Sequence, residues 1–232
     1  MTFDAAETRH LSRVLRLGPG DVVVAVDGRG QEWTVRLTEV GPRASAGVVL
    51  SGQPGARESP LRLTLVQGVP KADKMDLIVR MATELGAVRV VPVICERTVI
   101  RTGAHRWAGR VSRWQRIARE SAKQCGRAVV PDVEAPRDLA AWLEEGKARD
   151  LLVCLWEGEA AGLGARLPAP PIHHATLVVG PEGGLAEREA AALRAAGAVV
   201  AGLGPRILRT ETAGPIGLAL LQARYGDLGA SR

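Results

Sequence analysis

The sequence predicts a two-part chain of 232 residues, a small β domain over residues 1–58 followed by an α/β domain over residues 59–232. Three observations carry that expectation. Short β-rich runs fill the first segment, a turn-rich break follows (Gly52-Gln53-Pro54-Gly55, then Ser59-Pro60), and from Leu61 onward apolar strand runs alternate with helical patterns. A chain of this length buries a real core, and 46% hydrophobic with 24% charged residues is globular rather than disordered composition. No apolar run approaches the roughly 18 residues a membrane span needs. The start, Met1-Thr2-Phe3-Asp4-Ala5-Ala6-Glu7, is polar and acidic where a secretory signal needs a basic and then an apolar stretch, so a cytoplasmic protein is expected. Cys95, Cys125 and Cys154 lie far apart with no CxxC pair, which supports neither a zinc site nor a disulfide framework and fits a reducing compartment.

The elements follow in order. Leu11, Val14 and Leu15 share one face of a short amphipathic helix, while Arg9, Arg13 and Arg16 form a basic stripe on it. After Gly18-Pro19-Gly20, strands are expected over 21–26, 31–40 and 46–51, with Asp27-Gly28-Arg29-Gly30 as a hairpin turn; nothing else covers their edges, so the domain reads as barrel-like. Beyond the linker, 61–66 is a strand, Asp73 caps a helix carrying Leu77, Ile78, Met81 and Leu85 that Gly86 ends, and 88–95 is a strand. A long helix over 106–125 puts Trp107, Val111, Trp114, Ala118 and Cys125 on one side, and Arg106, Arg110, Arg113, Arg116, Arg119, Lys123 and Arg127 around the other. A helix over 139–145, a buried strand over 151–156 and a Gly-, Ala- and Pro-rich loop over 162–171 come next. His173 and His174 close that loop, and with no third ligand at a helpful spacing no metal is expected.

The charge is unevenly placed. The formal net charge is +6, yet residues 1–58 carry 7 basic and 7 acidic side chains and residues 138–232 carry 9 and 11. The span 71–137 carries 14 basic against 7 acidic. A genome-wide bias toward Arg codons would spread Arg without choosing where acids are absent, so a surface facing a polyanion is the better reading, with a solvated outer helix face as the plainer one. Arg110 and Arg113 on the long helix, and Arg9, Arg13 and Arg16 near the start, are the candidate nucleic-acid contacts.

Two strand–turn–helix units close the chain. A strand over 175–179 leads into Gly180-Pro181-Glu182-Gly183-Gly184 and a helix over 186–196; a strand over 198–201 leads into a loop over 202–213 and an apolar helix over 215–225. Glycines at strand ends let a ligand approach bare backbone, and strand ends of an open α/β sheet are where ligands bind. Gly202-x-Gly204 fails as a dinucleotide fingerprint, because Ile207 holds the third glycine position, which weighs against a nicotinamide dehydrogenase; neither turn ends in the Gly-Lys-Ser/Thr of a P-loop, and no GxSxG elbow is present. Arg209 and Glu211 are the chemical side chains beside the second turn, readable either as a plain salt bridge or as catalytic groups.

These segments together resemble a known family. His10-Leu11-Ser12-Arg13-Val14-Leu15-Arg16, Glu84-Leu85-Gly86 with Glu96-Arg97, Gln124-Cys125-Gly126-Arg127, Gly180-Pro181-Glu182-Gly183-Gly184 and the run from Leu203 to Ala213 are similar to the bacterial 16S ribosomal RNA uridine-N3 methyltransferases (ribosomal RNA small subunit methyltransferase E) of the SPOUT class, over nearly the whole chain. The resemblance implies an N-terminal PUA-like β-barrel for RNA docking and a C-terminal α/β domain threaded into a trefoil knot, working as a homodimer on 16S rRNA in the small ribosomal subunit. It implies S-adenosyl-L-methionine as cofactor, held by Leu155 and Trp156, by Gly180, Pro181, Glu182 and Gly183, and by Leu203, Gly204, Ile207 and Leu208. The family usually opens with an extra strand; here six residues precede Glu7. For the reaction, Arg209 and Arg13 are expected to hold the uracil carbonyls, and Glu211, with Glu182 as the alternative, to take the N3 proton. Another SPOUT specificity, 2′-O-ribose methylation, shares the donor pocket, and a non-catalytic RNA-binding assembly protein is the rival of a different class.

Overall fold

A computed structural model describes residues 1–100, 104–146 and 149–229. The chain divides into two compact units, one made of Met1–Glu58 with Gly126–Val129 and the other of the rest.

In the first unit, α1 (Ala5–Arg9) is capped by Asp4, whose carboxylate accepts the Ala6 and Glu7 amides at 2.8 Å each. The helix then widens into a π-helical turn, His10–Val14, with the Leu15 amide reaching back to the His10 carbonyl at 3.0 Å. That wider turn changes the faces: Leu11 is buried, whereas Val14 and Leu15, expected beside it, are exposed, as are Arg9, Arg13 and Arg16. Three antiparallel strands follow, β1 (Val22–Val26), β2 (Gln31–Val40) and β3 (Ser45–Pro54), in the order β1-β2-β3. Val35 and Leu37 point inward with the strand period of two, while Val22, Val24 and Val26 lie on the outer side. The segment 126–129 adds bridges from Val129 to Gly28 and Arg29, and Arg127 donates from Nη2 to Glu58 Oε2 at 2.8 Å. Arg127 is thus a buried ion-pair member and not part of an outward basic fan, because the chain turns inward at Gly126, where α3 has ended.

The second unit is a sheet of parallel strands, β4 (Arg62–Gly68), β5 (Ala87–Ile94), β6 (Asp132–Val133), β7 (Arg137–Asp138), β8 (Leu151–Leu155), β9 (His174–Val179) and β10 (Val199–Ala201). Their order is β10-β8-β9-β4-β5-β6, with β7 also pairing β5. Helices α2 (Lys74–Glu84), α3 (Ala104–Cys125), α4 (Leu139–Glu144), α5 (Leu163–Arg166), α6 (Glu187–Ala195) and α7 (Thr210–Tyr225) connect them. Both faces of the sheet are covered, which is why β8 reads Leu-Leu-Val-Cys-Leu and is buried throughout. On one face Leu65, Val153 and Leu177 pack with Ile78 of α2, Trp114 of α3 and Leu218 of α7; on the other Val66, Cys154 and Val178 pack with Trp142 of α4 and Leu193 of α6. Burial pushes the Cys95 and Cys154 thiols up to about 12, so both stay protonated.

Three local expectations change. Gly52 to Pro54, expected in the break between the domains, continue β3 and pair with Trp33, Glu32 and Gln31 of β2. The loop over 162–171 contains the short helix α5, and α7 starts at Thr210 rather than at 215. Proline favours the first helical position, which is what drew the expected start to Pro215. Here Arg209 is the N-cap residue, its carbonyl accepting the Thr212 and Ala213 amides at 2.9 and 2.8 Å, and Pro215 sits inside the helix. Among the described residues no helix is long and apolar enough to cross a membrane.

Candidate active site

Parallel strands direct their carboxyl ends to one edge of the sheet, and there the neighbours β10, β8 and β9 open a cavity of about 580 Å3. Leu155 ends β8 and Trp156, Glu157 and Glu159 follow it, Val179 ends β9 and Gly180 to Gly184 follow it, Gly202 to Leu208 follow β10, and Arg209 at the N-cap of α7, Thr210 and Ala213 of α7 and Lys74 of α2 complete the lining. Leu155, Trp156, Gly180, Pro181, Glu182, Gly183, Leu203, Gly204, Ile207, Leu208 and Arg209, singled out in the sequence, thus stand around one space.

A buried polar node fixes the floor. Gln67, at the end of β4, donates from Nε2 to Thr210 Oγ1 at 2.8 Å, to the Gly68 carbonyl at 3.0 Å and to the Gly180 carbonyl at 3.3 Å, and the Thr210 hydroxyl donates to the Gly180 carbonyl at 2.6 Å. Both side chains are buried, so these bonds hold α7 and the turn after β9 where water cannot compete. The turn is closed by the Gly184 amide on the Pro181 carbonyl at 2.9 Å and by Arg97, which donates to the Gly183 carbonyl at 2.9 Å. The indole of Trp156 donates to the Leu185 carbonyl at 3.3 Å.

The charged groups are arranged around this frame. Lys74 Nζ lies 3.1 Å from Glu182 Oε1 and 3.1 Å from Glu211 Oε2, and the Lys71 amide donates to both oxygens of Glu182 at 3.0 and 3.2 Å. Burial pushes the Glu182 carboxyl up, but the turn's own amide, Lys74 and the Lys71 amide outweigh it and hold the carboxyl below the usual range. The ammonium of Lys74 is pushed up by its bonds to the two carboxylates. Glu159 is held by Arg166 and Arg194 at 3.2 and 3.3 Å. Glu211 does not stand on the cavity wall; its carboxylate is beside Lys74, while Glu182 is on the wall.

Sequence reasoning missed Lys74 and Thr210. A signal for the first existed: the chain has four lysines among 31 basic residues, and two of them, Lys71 and Lys74, fall just where α2 begins. Arg9, Arg13 and Arg16 lie in the first unit. On α3, Arg110 stacks over the Trp107 ring at 5.3 Å, and Arg113 pairs with Asp76 and lies 3.9 Å from Asp73. Arg106, Arg116 and Arg119 are exposed on the same helix.

Residues 57–222 match the family described as RNA methyltransferase domain, and residues 3–50 match the RNA methyltransferase PUA domain. Fold and cavity therefore define the class: an RNA methyltransferase domain with a PUA domain ahead of it. The chain is 33% identical to ribosomal RNA small subunit methyltransferase E of Bacillus subtilis over 213 residues, 89% of this chain and 83% of that protein. Among solved structures it is similar to the Neisseria gonorrhoeae ribosomal RNA small subunit methyltransferase E bound to S-adenosyl methionine, with 33% identity, a TM-score of 0.88 and coverage of 98% and 92% of the two chains. A Legionella pneumophila methyltransferase in complex with the cofactor SAM gives 29% identity, a TM-score of 0.88 and coverage of 98% and 93%. The chain belongs to the ribosomal RNA small subunit methyltransferase E family.

Proposed function

We propose that this protein methylates N3 of a uridine in 16S rRNA within the small ribosomal subunit, in the cytoplasm, using S-adenosyl-L-methionine. The observation that carries the reading is the glycine-walled cavity where three adjoining strands end, in a chain whose relatives from Neisseria gonorrhoeae and Legionella pneumophila bind that donor. The residues present fit it. Backbone at Gly180 to Gly184 and Gly202 to Gly204 leaves room for polar groups, Leu155, Leu203 and Leu208 offer apolar wall, and Glu157 offers negative charge to a cation. When bound, the donor supplies an electrophilic methyl on a sulfonium.

This chain's own residues do the rest. Uridine N3 lies on the Watson–Crick edge and carries a proton, so the base must be presented unpaired, and N3 gains the methyl as its proton leaves. Arg209, on the cavity wall at the N-cap of α7, holds a uracil carbonyl and stabilises the negative charge that spreads from N3 to the oxygens; an Arg13, from this chain or from a second copy, is read as the other such cation. Glu182 rather than Glu211 is the better proton acceptor, since it stands on the wall. Holding the reactants at attack distance supplies much of the acceleration and calls for no metal.

The RNA is gripped by the PUA-like unit through Arg9, Arg13 and Arg16, and by α3 through Arg110 with the exposed Arg106, Arg116 and Arg119; Arg113 serves once released from Asp76. The β domain is read as closing in a PUA-like barrel, and the second unit as SPOUT-type, with the chain after β9 and into α7 threaded as a trefoil knot. A homodimer is supported by Ile216 and Leu220, one turn apart and exposed on α7.

The test is to incubate small subunits from a strain lacking the enzyme with pure protein and labelled donor, then digest the RNA and locate the methyl group by mass spectrometry. A methyl on uracil N3 is expected; one on ribose would give the chain a different specificity. Arg209→Ala is expected to bind donor normally and to lose at least about a hundredfold in methylation rate. Full methylation by that variant would remove Arg209 from the mechanism.

A further inference from the structure

One ammonium joins three separate pieces of the chain at the cavity wall. Lys74 is the first residue of α2; Glu182 belongs to the turn after β9, and Glu211 to the first turn of α7. Its Nζ is 3.1 Å from a carboxylate oxygen of each, and all three side chains are partly shielded, at 32%, 25% and 14% exposure. Other charges stand near it: Lys71, whose amide is on Glu182, and Asp73 are both exposed, Asp73 lying 3.9 Å from Arg113. Arg97 is on the Gly183 carbonyl, Arg113 is on Asp76, Arg206 and Arg209 line the loop side, and Glu157 is on the wall beneath Gly184.

We propose that Lys74 is a positioning residue for methyl transfer, clasping Glu182 and Glu211 so that the Gly180–Gly184 turn and the first turn of α7 stand as one wall. The inference rests on the reading of this cavity as the methyl-transfer site. The shared cation helps keep Glu182 ionised, so that its carboxylate faces the cavity ready to accept a proton. Without the ammonium, Glu182 faces Glu211 as like charges and takes up a proton at higher pH. The Glu182 turn also loses its tie to α2, and the uridine and donor edges of the cavity can drift apart.

Lys74→Met and Lys74→Arg test it, in two readouts. In protein without donor, the carboxyl carbon of Glu182 is titrated by NMR: Lys74→Met is expected to raise its midpoint by about one pH unit, and Lys74→Arg to leave it near wild type. In small-subunit methylation, Lys74→Met is expected to keep donor affinity within about threefold and to move the acid limb of the rate profile up by about one pH unit, so that the loss against wild type deepens as pH falls into that limb and shrinks towards neutral pH. Melting temperatures check that the partly exposed substitution leaves the fold intact. A Glu182 midpoint and an acid limb that both coincide with wild type overturn the proposal, whatever the rate, because a purely structural lysine would slow the reaction equally at every pH. Failure of Lys74→Arg to restore either readout also overturns it. If the wild-type protein binds donor but methylates no RNA, the functional reading itself falls, and this proposal with it, while the titration still reports on the clasp.

Discussion

The two glycine-rich turns of the cavity use similar residues and are held in opposite ways. The turn after β9 is packed on every side: the Gly180 carbonyl accepts from Gln67 and Thr210, Arg97 holds the Gly183 carbonyl, and Lys74 and Lys71 hold Glu182. The loop after β10 is tied near its start, where Gly202 donates to the Ala161 carbonyl and accepts from the Leu163 amide at 2.9 Å each. Beyond that tie Gly204 has a φ of +99° with nothing within 4 Å of where a Cβ would sit, and Ile207 is 85% exposed. Glycine serves close approach at Gly180 and backbone conformation at Gly204. A fixed cradle and an adjustable rim are what a site needs that must bind one partner tightly and admit another.

The largest break in that comparison is at Gly180. A methyl group there would lie 2.8 Å from the Gly184 carbonyl carbon and 2.8 Å from the Leu185 nitrogen, backbone atoms that cannot swing aside. Gly180→Ala is expected to lose about 2–4 kcal/mol in denaturant unfolding and to abolish donor binding by calorimetry. Wild-type stability in that variant would mean the turn is not rigid.

Next in size is Thr210→Val, which keeps the shape and removes the hydroxyl. The Gly180 carbonyl loses its 2.6 Å bond and Gln67 loses an acceptor, both in buried surroundings. A loss of about 1–3 kcal/mol is expected, with Thr210→Ser close to wild type. If valine and serine behave alike in the same unfolding experiment, the node is not what anchors the cradle.

The same contrast explains what could be read from the sequence. Strands β4, β5, β8, β9 and β10 were legible because burial on both faces leaves apolar runs, as in β8, whereas the two-residue β6 and β7 leave no run to read; the glycines of both turns were legible because few other roles need so many together. The start of α7 was not, since a proline inside the helix mimics one at its first position. Nor was the π-helical turn, which re-aims Val14 and Leu15 without any residue that announces it. Arg127 looked like one more basic residue of a fan until its carboxylate partner, Glu58, proved to be 69 positions away. Lys74 is the same case at the site. Period and composition report a residue's local element, and the ion pairs that matter here join distant ones.

The smallest effect on the fold is expected where the comparison is most informative. Ile207 touches water over most of its surface, so Ile207→Ala should change unfolding free energy by no more than about 0.5 kcal/mol. Yet an isoleucine on the lining of a cavity, in a loop tied mainly at one end, has apolar surface to bury once a ligand arrives. Truncating it then forfeits about 1–2 kcal/mol of transfer energy in the complex, a loss of about five- to thirtyfold in donor affinity. Calorimetry with S-adenosylmethionine beside a melting curve separates the two quantities. Weaker binding at unchanged melting temperature marks the loop as a rim that closes over the donor, and unchanged binding would mean that the donor is held by the cradle alone and Ile207 meets something else.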